Sequence, residues 1–290
     1  MNNKPGIFIG LALLLASLAC GSAVFAAERV AMVTDIEGRA MLTEGAAKHE
    51  LFILYELKPG ARLQLESGAR VSMVYLGSGQ EYELDGPAIV RVTASQPLTL
   101  SGAKPKKGGV ALAKGGGAVR IKPVVVAQVA IVMRSAAPGS RLKLLSLSGT
   151  RTLDTRPVFQ WQPPQPGLHY QIELMDDTGK TIMTAATDEA ALALPAQIEL
   201  KDAADYTWMV STVLPDGSKY SNVGDFSIAP REVRELAEKL RPASQAPVSE
   251  RVEYASWLEQ MELRDEARKY WKSVAAERHG DGKLKEVIGE

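Results

Sequence analysis

Short runs in which apolar and polar residues alternate, each closed by a glycine-containing turn, recur through residues 28–103 and 142–229. Side chains two apart share one face of a strand, so alternation commits a segment to a sheet with one buried face. In Arg70-Val71-Ser72-Met73-Val74-Tyr75 that face carries Val71, Met73 and Tyr75; Tyr82-Glu83-Leu84 and Ile89 to Val92 repeat the pattern. Ser67-Gly68, Gly77-Ser78-Gly79 and Asp85-Gly86 supply the turns between them. Residues 28–103 are therefore expected to form a small antiparallel β domain. Further on, Arg156 to Trp161, Tyr170-Gln171-Ile172-Glu173-Leu174 and Tyr206-Thr207-Trp208-Met209-Val210 alternate around the turn Asp176-Asp177-Thr178-Gly179. Leu200, six residues before Tyr206, has the spacing of a tyrosine corner, in which the phenol bonds upstream backbone. Residues 142–229 read as a seven-strand sandwich with Trp161, Tyr206 and Trp208 as structural core aromatics. The expected fold class is mainly β.

After Pro230 the period changes from two to that of a helix. Val233, Leu236, Ala237 and Leu240 fall on one face of a first helix, which Pro242 and Pro247 end. Ser249, Val252 and Glu253 open a second helix over about 249–261, and a third follows over about 265–278. Residues 230–290 thus form an α-helical region containing one hairpin. Trp271 occupies a packing position in it and is expected to be structural. Trp257 lies between packing positions and is expected at the surface, as a candidate partner contact.

The first β region resembles the FecR-type periplasmic domain. The matching residues are Ile36-Glu37-Gly38-Arg39-Ala40, Leu57-Lys58-Pro59-Gly60-Ala61-Arg62-Leu63, Glu66-Ser67-Gly68-Ala69-Arg70-Val71 and Tyr82-Glu83-Leu84-Asp85-Gly86-Pro87-Ala88. The resemblance implies a β-rich module outside the inner membrane, in a family that relays a surface signal towards a cytoplasmic sigma factor. Only Met1 to Lys4 precede the apolar segment here, so direct sigma-factor control is not expected. Residues 142–229 are similar to fibronectin type III or immunoglobulin-like modules. The spacing of Ala255, Leu258, Glu262, Ala267, Trp271 and Val274 is similar to a tetratricopeptide hairpin, although that motif favours Gly where Glu262 stands. One such unit cannot bury its own face, so it must pack on the preceding helix, on the sandwich or on another chain.

The N-terminus reads as an export signal. Lys4 precedes an apolar run from Ile7 to Leu18, and Ala23-Val24-Phe25-Ala26 offers small residues for cleavage after Ala26, which makes residues 1–26 the signal peptide. Two alternatives stay open. Ser17-Leu18-Ala19-Cys20-Gly21 is a poor lipobox that would make Cys20 the site of lipidation, and the stretch from Pro5 to Ala27 is long enough for an uncleaved anchor of roughly 20 residues. All three place the rest of the chain in the periplasm or otherwise outside the cytoplasm. Cys20 is the only cysteine, so no disulfide is expected and stability must come from buried cores.

Charge is strongly segregated although the chain is neutral overall. Residues 86–151 hold eleven Lys and Arg and no acid, whereas residues 152–230 hold eleven acids and four bases. Within the basic stretch, residues 104–141 form a Gly- and Lys-rich linker expected to be mobile, with one apolar strand at Val124 to Met133. Lys104, Lys106, Lys107, Lys114, Arg120 and Lys122 are the candidate contacts there for an anionic envelope polymer or lipid surface. The other reading is a solvated linker drawn to the acidic sandwich. No aromatics interleave with these cations as a base-stacking platform requires, so nucleic acid is not an expected partner.

Reactive chemistry is sparse in the sequence. His49, His169 and His279 each belong to a different module, and no pair has ligand spacing, so neither a metal nor a cofactor is expected. Gly179-Lys180-Thr181 lacks the glycine five residues upstream that a phosphate-binding loop needs, because Leu174 stands there. No catalytic residue is assigned. The expected function is a non-catalytic adaptor or scaffold that binds an envelope or inner-membrane protein in a signalling or assembly system. A glycan- or peptidoglycan-binding module using residues 86–151 is the alternative. An enzyme of unrecognised kind is the remaining class, to be revived by a deep pocket of convergent polar side chains. Oligomeric state is left open.

Overall fold

The computed structural model describes residues 28–110, 112 and 142–288. The export segment with Cys20, the cations Lys114, Arg120 and Lys122, and the expected strand at Val124 to Met133 lie outside the described residues.

The first β domain contains β1 (Ala31–Glu37), β2 (Ala40–Glu44), β3 (Ala47–Glu50), β4 (Glu56–Leu57), β5 (Arg62–Leu65), β6 (Arg70–Tyr75), β7 (Gln80–Asp85), β8 (Ala88–Val92), β9 (Pro97–Gly102) and β10 (Lys106–Val110). They form two antiparallel five-stranded sheets, β10-β7-β6-β1-β4 and β3-β2-β5-β8-β9. Alternation directs Val33, Val71, Met73 and Leu84 from one sheet against Leu42, Leu63, Leu65 and Val90 from the other, all essentially inaccessible to water. Burial of each large aliphatic side chain contributes about 1.5–3 kcal/mol. Gly86 is dictated by a close approach: its N–H donates to the Ala69 carbonyl at 2.7 Å, and a Cβ there would sit 1.9 Å from the Glu66 carbonyl oxygen. Residues 106–110 belong to this domain and not to a mobile linker. β10 pairs with β7 through Lys106 with Glu83 and Lys107 with Tyr82.

The second β domain is a sandwich of eight strands, one more than expected. They are β11 (Lys143–Leu144), β12 (Thr150–Thr152), β13 (Val158–Gln162), β14 (Tyr170–Asp176), β15 (Thr181–Thr187), β16 (Ala191–Ala193), β17 (Asp205–Val213) and β18 (Lys219–Ile228). A three-stranded sheet, β11-β13-β16, faces a five-stranded sheet, β12-β18-β17-β14-β15. The additional strand arises because the chain leaves β11, turns at Gly149 (φ +62°) and joins the opposite sheet, pairing parallel to β18. Tyr170, Ile172 and Leu174 stand in register with Thr212, Val210 and Trp208, so the two strands present one continuous apolar face. Phe159, Trp161, Trp208 and Phe226 fill the centre, with Phe159 and Trp208 ring centroids 5.1 Å apart. The Tyr206 hydroxyl accepts the Lys201 N–H at 2.8 Å, which makes the tyrosine corner. Gly224 leaves the room in which the Trp208 indole N–H donates to the Leu147 carbonyl at 2.8 Å; a Cβ would lie 2.7 Å from both partners.

Four helices follow: α1 (Arg231–Leu240), α2 (Val248–Gln260), α3 (Arg264–Glu277) and the short α4 (Gly282–Ile288). Helices α2 and α3 form the hairpin at the expected positions, and α4 was not anticipated. The helices complete a third apolar cluster that draws on all three regions. Met32, Ile53, Leu54 and Val74 come from the first β domain, Ala229 from the end of the sandwich, and Val252, Trp257, Leu258, Trp271 and Val274 from the helices. Strand β1 is thereby buried on both faces, with Ala31 and Val33 towards the opposite sheet and Met32 towards α2. The helical region is an internal hub joining the two β domains.

Candidate functional site

The hub grips each domain through specific polar contacts. On the first β domain, Arg278 just past α3 forms a fork to Asp35 at 2.8 and 2.9 Å and reaches Glu37 at 3.1 Å. The guanidinium and the Asp35 carboxylate are 20% and 14% exposed, so this pair is only partly screened by water. Asp281 accepts the Ile53 N–H at 2.8 Å and also caps the start of α4 through the Lys283 and Leu284 N–H groups. On the sandwich, Asp265 in the first turn of α3 accepts the Leu147 N–H at 2.8 Å. The Glu262 carbonyl accepts from the Arg151 N–H at 2.7 Å and the Thr150 hydroxyl at 3.2 Å, and Arg264 donates to the Gly149 carbonyl. Glu262 makes the turn between α2 and α3 with φ +62°, the left-handed conformation that explains why a Gly is favoured in such a turn. Its strain is offset by those backbone contacts and by an ion pair to Arg151 at 3.2 Å.

Trp257 is not at the surface. It is 1% exposed and stacks on Tyr254 at 5.8 Å, and Tyr254 donates its hydroxyl to the Ala237 carbonyl of α1 at 2.9 Å. The reason is that α2 is covered on all sides: Val252 through Leu258 are consecutively buried between α1, α3 and the first β domain. Trp271 is also 1% exposed, and its indole N–H donates to Glu259 at 3.3 Å. Trp161, Tyr206 and Trp208 lie inside the sandwich.

The structure divides the candidate cations. Lys106 is neutralised by Asp85 at 2.7 Å and Glu83 at 3.3 Å, and these contacts raise its pKa and hold the Asp85 carboxyl below its ordinary value. Lys104 and Lys107 are exposed and make no ion pair among the described residues. Lys104 and Lys107 lie either side of Lys106 in the chain at the edge of the first sheet, and among the described candidates the three converge with no other.

Two clefts flank the hub. One of about 620 Å³ lies where the sandwich meets the α2–α3 turn, lined by Arg151, Asp176, Tyr206, Asp225, Glu262 and Arg264 among others. Three of the five carboxylates that line it are engaged: Asp176 by the Thr178 hydroxyl and the Thr178 and Lys180 N–H groups, Asp225 by Thr207, and Glu262 by Arg151. The Asp176 carboxyl is held below its ordinary value, chiefly by the Thr178 hydroxyl. The other, of about 660 Å³, runs between β1 and the α3–α4 turn, past Glu37, Glu50, Arg278 and His279. His49 contacts the Tyr55 hydroxyl at 3.3 Å, His169 meets Asp188, and His279 faces the Ala275 carbonyl at 3.1 Å. Among the described residues, no group of three His, Cys, Asp or Glu is placed to hold a metal ion. No helix among them is long and apolar enough to cross a membrane.

One further residue stands out that sequence reasoning did not identify. Glu253, on the buried α2, is 2% exposed and sits against Glu81 of β7 beside a cavity of about 260 Å³. A buried acid on a helix otherwise rich in polar residues leaves no trace in periodicity.

No protein-family model matches the chain. No curated protein matches it either. Among solved structures, CopC from Methylosinus trichosporium OB3b is similar at 19% identity and a TM-score of 0.26, over 31% of this chain and 96% of that one. The fn3 domain of the human collagen alpha-1(XX) chain is similar at 15% identity and a TM-score of 0.24, over 40% of this chain and 93% of that one. The sandwich assignment stands on the strand pairing described above.

Proposed function

We propose that this chain is a non-catalytic extracytoplasmic adaptor, with a FecR-like first domain, a fibronectin type III-like sandwich and a tetratricopeptide-like hairpin, that binds a protein of the cell envelope. The observation that carries this reading is the free edge of the second sheet. Among the described residues strand β9 has a neighbour on one side only, and Leu98 and Leu100 on one of its faces are 48% and 40% exposed. An open edge with apolar side chains is a template for an added strand from another chain, whose backbone supplies hydrogen bonds and whose alternate side chains supply specificity. The helices turn their apolar faces inward, so a partner docks on the β surfaces.

A photo-crosslinking residue at position 98 or 100 tests this in cells. The adaptor reading predicts an adduct with one discrete envelope protein from these positions and none from Thr184, an exposed position on the sandwich. Absence of any adduct at 98 and 100 counts against it, and an adduct with a second copy redefines the edge as a self-association surface.

A second reading draws support from Lys104 and Lys107, exposed and without an ion pair among the described residues. In it the basic stretch holds an anionic envelope polymer such as peptidoglycan. Co-sedimentation with purified cell wall that disappears as salt rises favours that reading, because exposed charge pairs are individually worth about 0–1 kcal/mol and are screened.

A further inference from the structure

Glu253 is the only Asp, Glu, Lys, Arg or His that is buried among the described residues, and its Oε1 has no hydrogen-bond partner there. A carboxylate in that position is untenable unless something neutralises it. Glu81, half-buried on β7, is the group that meets it, carboxyl to carboxyl. Among the described residues, the elements packed around the pair offer no cation. Helix α2 contributes Glu250, another acid; β10 contributes Gly109 and Val110; the end of α1 contributes Leu240, with Pro242 beyond it. Nearby cations are committed elsewhere: Arg241 to Glu238, Arg251 to Glu277, and Lys106 to Asp85 and Glu83. Two carboxyls in contact at a site walled by apolar side chains are satisfied together by one proton, which turns one of them into a donor and the other into its acceptor.

We propose that Glu253 and Glu81 share a single proton and act as a pH-operated latch between α2 and the first β domain, closed while the proton is held and loosened when it leaves. On loss of the proton both carboxyls are negative and repel each other. The only relief is to admit water between β7 and α2, at the wall of the small cavity that already lies there.

The direction of the pH effect follows. Burial, and after it the charge of Glu81, pushes the Glu253 carboxyl well above its ordinary value, and burial raises Glu81 as well. The folded chain therefore keeps a proton that the unfolded chain has already released. Stability from this pair is complete at acid pH and drains away as pH climbs from the ordinary glutamate range through the raised value.

The test compares the full chain with Glu253→Gln and, separately, Glu81→Gln. An amide in place of either carboxyl keeps a donor in the pair and removes one charge. At about pH 5 each variant is expected to melt with the parent chain; at about pH 8 each is expected to melt higher by about 2–6 °C. Difference infrared spectra at neutral pH should show a protonated carboxyl stretch that Glu253→Gln abolishes. Amide exchange, corrected for its intrinsic rate, should quicken in α2 and β7 of the parent chain between these pH values and not in the variant. Melting that the substitution lowers or leaves equal at both pH values, or a neutral-pH spectrum without that carboxyl band, overturns the proposal.

Discussion

The hub meets the two β domains by different chemistry. Against the first domain it buries side chains: Met32, Ile53, Leu54 and Val74 enter one apolar cluster with α2, reinforced by the Arg278–Asp35 fork. Against the sandwich it mainly hydrogen-bonds to backbone, through Asp265 to Leu147, Glu262 to Arg151 and Arg264 to Gly149. Apolar contact is non-directional and scales with area, whereas bonds to a loop's backbone fix orientation while contributing about 0.5–1.5 kcal/mol each. The first junction therefore supplies the larger part of the adhesion, and the second sets the angle at which the sandwich is carried.

The largest effect that can break this comparison is at Trp257. Replacing it by Ala empties the centre of the first junction and should cost about 3–5 kcal/mol in chemical denaturation; a neutral result would return Trp257 to the surface. Next is Arg278→Ala, expected to cost about 2 kcal/mol because Asp35 is left partly buried without its partner. A double-mutant cycle with Asp35→Asn should recover a coupling energy of about 1–2 kcal/mol, and zero coupling would show the fork to be incidental. The smallest effect has the opposite sign. Glu262→Gly relieves a left-handed backbone at the sandwich junction and forfeits one exposed ion pair, so the chain should gain about 0.5–1 kcal/mol. A loss there would mean that the Arg151 ion pair outweighs the backbone strain.

Much of the fold is legible from local pattern. Alternation marks the strands that have one wet face, such as β14 and β17, and the interval from Leu200 to Tyr206 marks the corner that the Lys201–Tyr206 bond completes. The α2–α3 hairpin lies where its spacing places it. The failure at Trp257 has one physical cause, which is burial from two sides. Helix α2 has neighbours all round, so Trp257 at an apparently polar position is as buried as Leu258, and one-face periodicity misassigns it. Glu253, which the sequence marks only as part of the opening of this helix, is buried for the same reason. Strand β10, with Lys106, Lys107, Gly108 and Gly109, has linker composition; it becomes a strand because Glu83 and Asp85 on its neighbour neutralise Lys106 and the Gln80 amide bonds the Gly108 and Gly109 carbonyls. Pairing between distant segments is invisible to composition.

The central claim is that α1 to α4 fasten the two β domains into one body. Spin labels on Cys substituted for Gln64 in the first domain and for Thr184 in the sandwich, with Cys20 replaced by Ser, report the distance between the domains. The hub predicts one narrow distance distribution, unchanged by salt and broadened by Trp257→Ala. A broad distribution in the otherwise unaltered chain would show domains that move independently, and would contradict the account.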